Sequence, residues 1–282
     1  MARLSSSILA ILALAAAPAA ATTPAYPDQG RPYAIARTAT FEVQNSVGEA
    51  YDIMVAWPEG NQPAGGWPVL YVLDGEDNFP IVAATARRLA RAGARSGVTE
   101  GVVVGIGAGP LARRVRDYTP PVPGYVIPAG QPASGFATGG SEAFLDMLER
   151  QVMPVVRERW SIDEQREAIV GHSFGGLLAI HALLARPGMF DAAIAISPSL
   201  WFGNGVIDRE VAGNPAENAP RRLLMAEGEN QSTSLQNLTQ RLRAEIPAVE
   251  ATLLQLAGQS HGTTFLAAIA PATHFAFGRA EQ

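Results

Sequence analysis

The run Val69-Leu70-Tyr71-Val72-Leu73 is apolar at every position and stops abruptly at Asp74-Gly75. A strand without alternation must be covered on both faces, so this chain needs helices above and below a sheet. Gly101–Ile106 and Ala192–Ile196 have the same character. Further strands fit Arg166–Val170, Arg222–Ala226 and Ala251–Leu256. Between them lie helical patterns at Ile81–Ala92, residues 141–158, Gly175–Ala185 and Ser234–Glu245. In the second of these, Phe144, Leu145, Leu148, Val152, Val155 and Val156 follow helical spacing. Strand–helix alternation predicts an α/β fold with a mainly parallel central sheet. Thr40–Gln44 and Tyr51–Trp57 alternate instead, around Val47-Gly48, and predict an N-terminal antiparallel hairpin. Residues 118–141 are rich in Pro and Gly and show no period, which suits a long functional loop.

The first residues predict export. Met1-Ala2-Arg3 precedes the apolar stretch Ile8–Leu14, which decays into Ala17-Pro18-Ala19-Ala20-Ala21. A positive start, a short apolar core and an Ala-x-Ala end describe a secretory signal, with cleavage near Ala21. Residues 22–282 then form one catalytic domain. No later stretch is apolar enough to anchor in a membrane, so a periplasmic or secreted protein is expected.

Composition removes several chemistries. The 21 basic residues are all Arg, so there is no Schiff-base or P-loop lysine. The absence of Cys excludes a thiol nucleophile, disulfides and cysteine metal sites. No His/Asp/Glu cluster has metal-ligand spacing. A formal charge of −5 disfavours nucleic acid. Gly105-Ile106-Gly107-Ala108-Gly109 imitates a dinucleotide loop, but Pro110 follows at once and no cofactor is expected.

The motif with positive content is Gly171-His172-Ser173-Phe174-Gly175, between a β-branched strand and a helix-forming run. That context is the one a nucleophile elbow requires, and it makes Ser173 the candidate nucleophile. A serine needs a base. His261, in Gly258-Gln259-Ser260-His261-Gly262, follows the last strand, where such a base belongs. His172 lies inside the elbow, His181 on the following helix and His274 in a C-terminal helix. The acid should follow the strand ending at Ala226; Glu229 is the candidate, Glu227 the competitor, and a Ser–His dyad the alternative. For the oxyanion, the backbone N–H groups of Phe174 and Glu76 are expected as donors.

Together these residues resemble the esterase-D-like branch of the α/β hydrolases, and within it the siderophore esterases that open enterobactin- and salmochelin-type trilactones. The resemblance rests on several further stretches. They are Tyr71–Gly75, Arg114–Pro120, Gly139–Leu145, Gly171–Gly176, Ser197–Phe202 and Ser260–Gly262. It implies an α/β-hydrolase fold and cleavage of a small-molecule ester, a ferric siderophore among the candidates, with no metal or cofactor of the enzyme's own. Asn230 and Gln231 stand where relatives often carry an acid, and the dyad described for a periplasmic siderophore esterase fits that gap. Catecholate siderophores are anionic, so Arg113, Arg114 and Arg116 are candidate substrate contacts. Tyr118, Tyr125, Phe136 and Trp201 are candidate aromatic walls. A general acetyl or feruloyl esterase, or an acyltransferase, is the alternative enzyme. A non-catalytic binding protein on the same scaffold is the alternative from another class.

Overall fold

The structure is a computed structural model, and it describes residues 34–214, 221–228 and 233–278. The export segment and Glu229 lie outside these residues. The main compact unit is Arg37–Gln282.

Eight strands form one sheet in the order β1-β2-β4-β3-β5-β6-β7-β8. β1 (Thr38–Gln44) and β2 (Ala50–Ala56) make the expected hairpin. β2 pairs antiparallel with β4 (Val102–Ile106). From β4 onward every pairing is parallel, through β3 (Trp67–Leu73), β5 (Ile162–His172), β6 (Ala192–Ile196), β7 (Arg221–Gly228) and β8 (Val249–Leu256). The chain has the α/β-hydrolase fold. Its parallel strands all end on one edge, where the loops that carry chemistry collect.

β3 shows why an unbroken apolar run was needed. Leu70 and Val72 face one core, beneath α1 (Gly75–Ala92) and α8 (Thr264–Phe277). Val69, Tyr71 and Leu73 face the other. That second layer holds α3 (Ser141–Met147), α4 (Met153–Trp160), α5 (Phe174–Ala185), α6 (Val206–Gly213) and α7 (Ser234–Glu245). Helix α5 is buried at every position but its last, which is why its sequence lacks an amphipathic period.

Four elements depart from the sequence expectation. Helix α1 starts at Gly75, six residues before the expected Ile81; Glu76 and Asp77 occupy its first turn, where acids complement the helix dipole. Helix α2 (Leu111–Asp117) has no counterpart in the sequence expectation; at two turns it is too short to show a period. The helix expected over residues 141–158 is present, but Leu148–Val152 is wound as a π-helix. Pro154 explains this, since it lacks an N–H and its ring crowds the preceding turn. Helix α6 was not anticipated.

Candidate active site

β5 delivers the chain into a bend at Ser173, whose φ of 59° and ψ of −115° are strained for a residue with a β-carbon. The bend closes because Gly171 has no side chain: a Cβ there would lie 2.3 Å from the carbonyl of Gly175. The Ser173 N–H donates to Ile196 O at 3.0 Å, and its carbonyl accepts from Leu177 and Ser199. The hydroxyl is left half-buried at the positive end of α5. Phe174, the first residue of that helix, has a backbone N–H with no acceptor inside it.

A second helix begins alongside. β3 and β5 are parallel neighbours with Val72 opposite Val170. Continuing that register sets Asp74 beside His172 and the start of α1 beside Ser173. Gly75 and Glu76 open α1, so their N–H groups also lack intrahelical acceptors. The side chains of this turn are engaged elsewhere. The Glu76 carboxylate accepts from Ala108 N at 3.0 Å and Gly109 N at 2.9 Å. The glycine-rich stretch that imitates a nucleotide loop is therefore an anion nest filled by the protein's own carboxylate. The Asp74 carboxylate is held by Arg114 Nε and Nη2 at 2.5 and 2.8 Å. With these side chains engaged, the turn presents backbone N–H groups at two adjoining helix starts.

His261 stands in the loop between β8 and α8, which Thr263 and Thr264 N–H groups brace against Ser260 O. The loop is pressed onto the end of β7: a Cβ on Gly228 would collide with Gln259 O. His172 Nε2 donates to His261 O at 2.8 Å, and the two rings lie 4.6 Å apart. His261 lines a cleft of about 700 Å³ with Ser197, Ser199, Trp201 and Glu227. Burial, and then the charge of Arg114, hold its imidazole below the ordinary histidine value. A neutral ring is the form a base needs. Ser173 Oγ rests 3.2 Å from Ser199 Oγ rather than on His261. Nucleophile–base hydrogen bonds commonly tighten only when substrate enters.

Sequence reasoning missed Ser199 and the role of His172. Both contacts join residues distant in the chain or hidden in a motif, and no period marks them.

Of the two acid candidates, Glu227 is described. It is the last residue but one of β7, is 2 % exposed and lines the same cleft as His261. Burial raises its carboxyl above the usual range, partly opposed by a hydrogen bond from Gln255. Among the described residues, the His261 ring has no carboxylate partner.

Residues 44–239 match the family model described as "Putative esterase". The chain belongs to this esterase family. It is 38 % identical over 188 residues to the siderophore triacetylfusarinine C esterase of Aspergillus fumigatus, covering 63 % of this chain and 61 % of that one. It is 30 % identical over 188 residues to the ferri-bacillibactin esterase BesA of Bacillus subtilis, covering 64 % and 65 %. The match thus spans less than two thirds of the length of either curated relative. Among solved structures, the siderophore hydrolase EstB of Aspergillus nidulans superposes with a TM-score of 0.75 at 26 % identity, covering 88 % of this chain and 98 % of that one.

The residues expected to touch substrate in this esterase-family chain divide sharply. Tyr118, expected to contact substrate, is instead fully buried, and its hydroxyl accepts the Asp74 N–H at 3.1 Å. Arg116 is committed to Glu49, at 2.9 and 2.6 Å, and to Asp117 at 2.8 Å. Arg113 donates to Ala108 O and Ala50 O and lies over the Tyr51 ring. Arg114 holds Asp74 as above. The expectation that all three contact substrate does not include helix α2, which sets each of them against a partner within the protein. Trp201 is 38 % exposed, lines the cleft and packs against Phe174. Tyr125 anchors the long loop by stacking edge-on against Phe202 at 4.9 Å.

Proposed function

We propose that this chain hydrolyses carboxylic esters through an acyl-enzyme on Ser173, and that its substrates are ester-linked siderophores. One observation carries the hydrolytic reading: a strained serine stands at the start of α5, beside the start of α1, with the His261 loop fastened to the residue before it.

His261 takes the Ser173 proton as Oγ attacks the ester carbonyl, and then gives it to the leaving alcohol. The N–H groups of Phe174 and of Glu76 stabilise the oxyanion as it forms. Water, deprotonated by the same imidazole, resolves the acyl-enzyme. Glu227 and Glu229 are the carboxylates near enough in sequence to the β7 end to steady the imidazolium. A dyad of Ser173 and His261 is the simpler reading, because no carboxylate partner of His261 occurs among the described residues.

The substrate class comes from the relatives, which are named as esterases of triacetylfusarinine C and of ferri-bacillibactin. The site adds a condition. Residues 118–140 contain no Asp, Glu, Lys, Arg or His, and neither do residues 197–206. With Arg113, Arg114 and Arg116 all engaged internally, and Arg241 of the cleft wall paired with Asp208 and Glu245, recognition of the siderophore rests on shape and aromatic contact at Trp201 more than on attraction of an anion. Residues 1–21 support export to the periplasm or beyond. Among the described residues, no helix is long and apolar enough to cross a membrane.

The test is a fluorophosphonate probe followed by an ester panel. Labelling of wild type that disappears in Ser173→Ala is expected; no labelling would refute the serine-hydrolase reading. On the panel, ferric trilactone siderophores should be turned over faster than p-nitrophenyl acetate or feruloyl sugars. Turnover no better than that of the acetate would remove the siderophore assignment alone.

A further inference from the structure

Arg114 touches both halves of the oxyanion site. Its Nε and Nη2 grip the two oxygens of Asp74, at the head of α1. The same Nη2 donates to the carbonyl of His172, the residue before the nucleophile, at 3.2 Å. We propose that Arg114 is a positioning residue, whose fork on Asp74 and His172 sets the spacing between the oxyanion donors of α1 and α5. The inference rests on the esterase reading above and deepens it.

The reason lies in Asp74. It adopts φ 55° and ψ 51°, a left-handed conformation that a residue with a β-carbon resists. Strain of this kind persists only where the surroundings over-determine it. Here they do so at both ends of the residue. Arg114 fixes the carboxylate, the buried Tyr118 hydroxyl accepts the N–H, and the Asp74 carbonyl accepts from Asp77 and Asn78 to wind the first turn of α1. The N–H groups of Gly75 and Glu76, which have no acceptor within α1, take their direction from that turn. Arg114 and Tyr118 both belong to the α2 region, and the guanidinium lies 5.2 Å from the centre of the Tyr118 ring. The stretch Arg114–Tyr118 thus works as a brace, with Asp74 on one side and the nucleophile elbow on the other.

A planar guanidinium suits this geometry and an ammonium does not. Two parallel N–H bonds match a carboxylate, and a further N–H of the same group remains for the His172 carbonyl. The pairing also spends the arginine: with its side chain 18 % exposed and Asp74 across it, little is left for an anionic substrate.

The experiment uses the full chain with p-nitrophenyl butyrate, a neutral ester, and with an anionic catecholate trilactone. Arg114→Gln and Asp74→Asn should each lower kcat on the neutral ester by about 10- to 100-fold, with KM changed less than about twofold, since loss of aligned oxyanion donors acts in the transition state. The double variant should be no worse than either single one, because the pair acts as a unit. Arg114→Lys keeps the charge but loses the fork, and should recover only part of kcat. If Arg114→Gln fails to fold by thermal melting, the lysine variant alone decides the matter. Full kcat on the neutral ester in Arg114→Lys and Asp74→Asn, or a loss confined to KM for the anionic trilactone, overturns the proposal. Wild type that labels with fluorophosphonate while the variants label at the same rate also overturns it. Wild type that neither labels nor hydrolyses any ester sinks the esterase reading, and this inference with it.

Discussion

His172 and His261 pack against each other at a tilt of 45°: the Nε2 of the first donates to the carbonyl oxygen of the second at 2.8 Å, with ring centroids 4.6 Å apart. The bend that bears Ser173 therefore holds the loop that bears His261. His172→Phe keeps the ring contact and deletes the hydrogen bond. One neutral hydrogen bond contributes about 1 kcal/mol, so kcat/KM should fall about 3- to 10-fold as the His261 loop loosens. Steady-state kinetics with a short neutral ester check this, and an unchanged kcat/KM would show that the loop needs no such tie.

The pH profile should be displaced in a defined direction. Burial first, and the nearby Arg114 charge second, favour neutral His261. Protonation of His261 removes the base, so activity is lost as pH falls through its lowered pKa. The acid midpoint of kcat/KM is expected below the unperturbed histidine value of about 6.5. Arg114→Gln removes one of the two causes and should move that midpoint upward. Rates measured from pH 4 to 9 test both statements; a wild-type midpoint above 7 contradicts the first.

Ser199 is the partner of the nucleophile in this structure, with the two hydroxyl oxygens 3.2 Å apart and the Ser199 N–H on Ser173 O at 3.1 Å. The backbone bond survives truncation of the side chain. Ser199→Ala should therefore leave the elbow folded and Ser173 reactive to fluorophosphonate. Loss of one hydroxyl contact should lower kcat by about 2- to 10-fold. A drop as deep as that of Ser173→Ala would mean that Ser199 takes part in the chemistry itself.

These contacts mark where the sequence stops being readable. The sheet was legible because unbroken apolar runs such as Ala192–Ile196 admit little besides a strand covered on both faces, and that strand is found at the expected residues. Phe174–Ala185 was legible because a helix former follows a tight glycine turn. Helices α2 and α6 were not, being only two turns long with no cap to announce them. The orientation of the arginines of α2 was hidden for the same reason. A charged side chain reads as solvated until its partner is known, and the partners Asp74 and Glu49 lie 40 and 67 residues away. The sequence offers Glu76 through its backbone N–H; the acceptor role of its carboxylate toward Ala108 and Gly109 depends on the loop after β4, which only the fold brings alongside.

A buried histidine outside the catalytic set gives a prediction about stability. His181 on α5 is 4 % exposed and bonds Glu210 of α6 through Nδ1 at 2.7 Å and Glu142 of α3 through Nε2 at 2.8 Å, with Ser141 Oγ 3.1 Å from Nε2 and Arg186 on the far side of Glu142. Burial alone would depress its pKa, but the two carboxylates more than offset this and raise it above the ordinary value. The sign follows. A raised folded pKa means that the protonated ring stabilises the native state, fully below about pH 6.5 and progressively less as pH rises through the folded value. Helix α6 carries Ile207 and Asp208 into the cleft wall, so weakening this link should loosen that wall as well. His181→Gln should cost about 1.5–3 kcal/mol at pH 6, the worth of hydrogen bonds to charged groups, and clearly less at pH 9. Urea denaturation at the two pH values measures the difference. An equal cost at both would mean that His181 contributes by packing alone, with its charge immaterial.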